Sequence, residues 1–114
     1  MKKDNKILLE HVREAISRIE EYTQNIDFDT FTKSRLVQDG VIRNLAIVGE
    51  AVKHLESSLK DQHPEIPWPQ IVAMRNIITH EYFGIDLRLT WDVINSDLPT
   101  FKKEVEKLWK TLLI

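Results

Sequence analysis

SRLVQDGVIRNLAIVGEAVKHLESS, residues Ser34–Ser58, carries two apolar seams where a surface helix would carry one. Val37, Val41, Asn44, Val48, Ala51 and Leu55 step by four and three along one line, and Ile42, Leu45, Gly49 and Val52 form a second line beside it. Two seams mean burial on two sides, so this segment is expected to be the spine of a helical bundle. Gly49 sharpens the expectation. Glycine in a helix interior costs up to about 1 kcal/mol relative to alanine, which makes sense only where another backbone passes close by. Gly40 is a similar interruption without so obvious a partner.

Working outward, residues from about Asp4 to Gln24 place Leu8, Val12, Ala15, Ile19 and Tyr22 on one stripe, the pattern of an amphipathic helix with a charged outer face. Asn25–Asp29 breaks it and offers two candidate N-caps, with Asp29 expected to open a short helical turn over Thr30, Phe31 and Thr32. Beyond the spine, the two prolines of His63-Pro64-Glu65-Ile66-Pro67-Trp68 exclude a continuous helix. Pro69 suits the first turn of a third long helix, where a missing N–H costs nothing. That helix turns Ile71, Met74 and Ile78 inward and is expected to run to near Gly84. Asp86 then caps a helix containing Leu89, Trp91, Val93 and Ile94, and Asp97-Leu98-Pro99 marks a kink or restart before a last helix carrying Phe101, Val105, Leu108 and Leu112. No segment reads as a strand. The expected fold is all-α, an antiparallel bundle of four to five helices, with residues 1–114 as a single domain.

Composition narrows the function. Sixteen Lys and Arg stand against eighteen Asp and Glu, a net charge of -2, so the chain has no bulk attraction for a polyanion. A small local basic cleft remains compatible with that balance. With no cysteine, disulfides and thiolate metal sites are excluded. Neither a signal-peptide core nor a membrane-length apolar run is visible, and the expected location is the cytoplasm.

Chemistry concentrates in Arg75-Asn76-Ile77-Ile78-Thr79-His80-Glu81-Tyr82. Arginine presents a planar, permanently charged fork that matches phosphate, and histidine can pass a proton either way near neutrality. On one regular helix, Arg75 and Tyr82 fall within about 20° of one another, Asn76 and His80 share a face, and His80 lies about 140° from Arg75. A single straight helix therefore cannot aim Arg75 and His80 at one atom. Either the helix unwinds near its end or a second copy supplies the missing group across a two-fold axis, which points to a homodimer.

The spacing Arg-x4-His-x-Tyr, with Asn after the Arg, resembles the signature of the HEPN ribonucleases and, within them, the HepT toxins of bacterial toxin–antitoxin pairs. Arg43–Ala51, His63–Trp68, Met74–Asn76 through Tyr82-Phe83, and Ile85-Asp86 with Leu89, Trp91, Asp92 and Val93 extend the likeness over nearly the whole chain. The resemblance implies a HEPN-like helical fold, a dimer that joins two motifs in one cleft, and RNA cleavage without metal or other cofactor. Arg75 and His80 would be catalytic: Arg75 would hold the scissile phosphate and His80 would act as general base or acid. Asn76 and Tyr82 would support them. The expected partners are an RNA substrate, tRNA or mRNA, and a small MntA-type nucleotidyltransferase antitoxin that transfers AMP to Tyr82.

Other features carry blander expectations. Glu50 and His54 lack the paired Glu-x-x-His spacing of a di-iron bundle, so no metal site is expected, and Glu50 is read as a partner of Arg43 or Arg75. His63 shapes the proline loop, His11 lies on a solvated face, and Trp68, Trp91 and Trp109 anchor core or interface. A second function class stays open: a non-catalytic helical adapter that binds a nucleotidyltransferase and is modified by it.

Overall fold

The computed structural model describes residues 4–80 and 84–113. Four helices form the bundle: α1 (Asn5–Thr23), α3 (Arg35–Lys53), α5 (Trp68–Ile78) and α7 (Leu98–Leu112). Short helices link them: α2 (Phe28–Lys33), α4 (Ser57–Asp61) and α6 (Leu87–Asp92), which continues as a π-helical stretch over Val93–Asp97. One two-stranded ladder joins β1 (Thr79–His80) to β2 (Gly84–Ile85), so the expectation of no strand is corrected by four residues. Among the described residues, no helix is long and apolar enough to cross a membrane.

The spine behaves as its two seams require. α3 packs against both α1 and α5, and Val41, Leu45, Val48 and Val52 are wholly buried beside Leu9, Val12, Ala15 and Ile19 of α1. A Cβ built on Gly49 would stand 3.1 Å from the Val72 carbonyl oxygen of α5, so the close backbone approach is real. Gly40 also has a reason, which the sequence did not reveal: a Cβ there would meet the Tyr22 ring at 3.0 Å. Asn44, the one polar member of its seam, is buried with its amide donating to the Gly40 carbonyl at 2.8 Å.

Local hydrogen bonds set the helix ends. Asp27 caps α2 by accepting from the Thr30 N–H, in place of the expected start at Asp29. α3 stops at Lys53, short of Ser58, because the Glu56 N–H is taken by the Asn5 side chain of α1 at 3.0 Å. Leu55 nevertheless stays in the core. The Trp68 indole N–H donates to the carbonyls of Lys60 and His63, which ties the proline loop to the start of α5. Through Pro99 the helical path continues unbroken. Proline has no N–H for the Asn95 carbonyl and its ring crowds that position, and the π stretch relieves this by passing the Leu98 N–H to Val93.

Candidate active site

α5 divides by face. Ile71, Met74 and Ile78 point into the core, whereas Arg75, Asn76 and Ile77 are exposed at its last turn. The helix then ends at Ile78, six residues before Gly84. Its last turn closes regularly, with both the N–H and the hydroxyl of Thr79 donating to the Arg75 carbonyl, the hydroxyl at 2.6 Å. The chain proceeds into the ladder with Thr79 opposite Ile85 and His80 opposite Gly84, and the Asp86 N–H extends it by donating to the Ile78 carbonyl at 2.7 Å. Gly84 has φ +80, a conformation that residues with a side chain rarely adopt.

This stop corrects the angular argument. The 140° between Arg75 and His80 requires a helix that spans both, but Arg75 lies in the last turn of α5, which ends at Ile78, and His80 belongs to β1. The pairing of Asn76 with His80 on one helical face falls for the same reason. Tyr82 itself and the His80 side chain lie outside the described residues.

Arg75 makes no ion pair with another described residue. Glu50 is not its partner, nor that of Arg43: it meets His54 Nε2 at 3.0 Å, one helical turn away on an exposed part of α3. Among the described residues, no three His, Asp or Glu side chains gather as a metal site. His63 binds Glu65 at 3.2 Å in the proline loop, and His11 is exposed. The tryptophans have packing partners: Trp68 meets Phe101 edge-on, Trp91 tilts against Phe28 and Phe31, and Arg13 lies 4.6 Å over Trp109. Beside the motif, Met74, Ile77, Ile78, Leu89, Val93 and Phe101 line an apolar cleft of about 510 Å³ whose edge carries Glu65, Asp97 and Glu104. The residues that hold β1 in place, Gly84 and Asp86, were legible only as a helix end and a cap. Their signal is the Gly-x-Asp spacing that follows the motif.

Residues 12–108 match the family model described as ribonuclease HepT-like. This chain belongs to the HepT-like ribonuclease family. Its all-α fold is the HEPN-like one that the motif resemblance implies. A protein of Thermococcus cleftensis named "Probable ribonuclease HepT" is 44% identical over 96% of this chain and 100% of its own length. A Methanocaldococcus jannaschii protein, named as a gamma-glutamylcyclotransferase and candidate RNase, is 44% identical over 98% of this chain. This HepT-like chain spans 50% of that relative's length. Another candidate RNase of the same organism is 38% identical over 92% of this chain and 96% of its own length. No solved structure matches.

Proposed function

We propose that this HepT-like ribonuclease is the toxin of a toxin–antitoxin pair, a single-domain subunit that cuts RNA in the cytoplasm as a homodimer and needs no metal. The observation that carries the reading is the end of α5 at Ile78, between Arg75 and His80. A break there frees the histidine from the far side of the arginine's helix, which is the geometric objection a regular helix raises. Arg75 is exposed and makes no ion pair within the described chain, as a group reserved for phosphate must be.

In the proposed reaction the ribose 2′-oxygen attacks the adjacent phosphorus and the bond from phosphorus to the 5′-oxygen breaks. The products are a 2′,3′-cyclic phosphate and a 5′-hydroxyl. His80 takes the 2′-hydroxyl proton, or supplies one to the leaving oxygen, and Arg75 neutralises the phosphorane-like charge. Asn76 and Tyr82 line the cleft. For silencing, the Tyr82 hydroxyl attacks the α-phosphorus of ATP on the partner nucleotidyltransferase, loses its proton and releases pyrophosphate. The attached AMP then puts bulk and negative charge where RNA phosphate would sit.

Exposed apolar surface supports the dimer. Ile77 is 49% exposed beside Asn76, next to the apolar cleft, and a second copy seated there would bring two motifs together. A growth assay tests the proposal. Expression of the chain alone should arrest growth, and His80→Ala, Arg75→Ala or co-expression of a nucleotidyltransferase partner should each relieve it. Equal arrest by the His80→Ala variant would overturn the reading.

A further inference from the structure

We propose that Asp86 is a positioning residue for His80, setting the orientation of its imidazole from the opposite end of the ladder. The inference rests on the reading of His80 as the proton-transfer group. Its geometry comes from the register: Thr79 faces Ile85, His80 faces Gly84, and the bond from the Asp86 N–H to the Ile78 carbonyl carries the pairing one step further. Alternate positions of a ladder share a face, so positions 78, 80, 84 and 86 lie on one side. Positions 80 and 86 are then diagonal neighbours, with Cα atoms roughly 7–8 Å apart, within reach of long side chains. Directly opposite His80, position 84 is a glycine and brings no side chain, and a Cβ built there would have no atom of the described residues within 4 Å.

Asp86 is also firmly anchored among the described residues. Its N–H is bound to Ile78, and its Oδ1 accepts the Leu89 N–H at 3.0 Å. Its carbonyl accepts both the N–H and the hydroxyl of the wholly buried Thr90. A carboxylate has acceptor sites for a helix cap and an imidazole together. Accepting one ring N–H would fix the tautomer and present the other nitrogen to RNA, as well as stabilising the imidazolium formed when a proton is taken.

Capping alone and capping with positioning make different forecasts for Asp86→Asn, since asparagine caps about as well as aspartate but carries no charge. With total tRNA and a mixed-sequence single-stranded RNA as probes, we expect Asp86→Asn to lose kcat about 10²-fold, the scale of a 1 Å misplacement. KM and the thermal midpoint should stay at wild-type values. The ¹⁵N shifts of the His80 ring should move towards the other tautomer, and this readout reports on the contact even on RNA that is not cut. Wild-type kcat or unmoved ring shifts in a folded Asp86→Asn protein would overturn the inference and leave Asp86 as a cap. His80→Ala in the same assay separates the two levels: wild-type cleavage by that variant would refute the role of His80 itself.

Discussion

The α1–α3 contact and the end of α5 follow different rules. In the first, Leu9, Val12, Leu45, Val48 and Val52 are wholly buried, and their places follow from apolar periodicity alone. At the second, Arg75, Asn76 and Ile77 are exposed, and the chain leaves the helix for a short ladder that the Asp86 N–H bond to Ile78 extends. Stability is concentrated where the pattern is regular, and the candidate chemistry sits where it stops. Core substitutions should therefore cost stability, whereas motif substitutions should cost activity only.

The largest stability effect is expected at the spine. Leu45→Ala removes a fully buried side chain and should destabilise by about 2–5 kcal/mol, read from denaturant midpoints. A loss below about 1 kcal/mol would mean that α1 and α3 are not packed as described. The two helical glycines make a sharper contrast. Gly49→Ala drives a Cβ to 3.1 Å from a backbone oxygen that cannot swing away, and should cost roughly 1–3 kcal/mol. Gly40→Ala meets only the Tyr22 ring, which is 38% exposed and can turn. There the better helix propensity of alanine should offset most of the strain, leaving stability within about 1 kcal/mol of wild type.

That contrast also measures how far the sequence could be read. Gly49 announced its close neighbour because an unfavourable residue in a strong seam needs a reason. Asp86 and Pro69 announced helix starts through local chemistry, and both lie where expected. The end of α5 was hidden, since Ile77, Ile78 and Thr79 continue a helical pattern and the deciding bond comes from Asp86, eight residues on. The end of α3 was hidden further, because the side chain that takes the Glu56 amide belongs to Asn5, at a separation of 51. Periodicity shows which faces pack. It says little about where an element yields to a partner distant in sequence.

A smaller effect is expected between α1 and α7, where Glu106 accepts from Arg13 Nε at 2.8 Å and that hydrogen bond holds its carboxyl below the usual 4.5. A depressed folded pKa adds stability that is fully present above the unfolded value and is lost as pH falls through the folded one. Both side chains are about one-third exposed, so solvent should keep the contribution under about 1 kcal/mol. The stability difference between wild type and Glu106→Gln should be greatest near neutral pH and shrink as pH falls below 4.5. A difference that grows on acidification would contradict the ion pair. Smallest of all, Arg75→Ala should leave stability within about 0.5 kcal/mol of wild type, because its side chain is exposed and makes no ion pair with a described residue.

The most direct test of an Arg75–His80 ribonuclease centre is the cleavage rate of purified wild-type and His80→Ala proteins on total RNA, measured in EDTA on samples of matched thermal midpoint. Wild type should cut and leave 2′,3′-cyclic phosphate ends, while His80→Ala should be slower by at least about 10²-fold, the usual scale of general acid–base catalysis. Equal rates for the two proteins, or wild-type cleavage that vanishes in EDTA, would contradict the account.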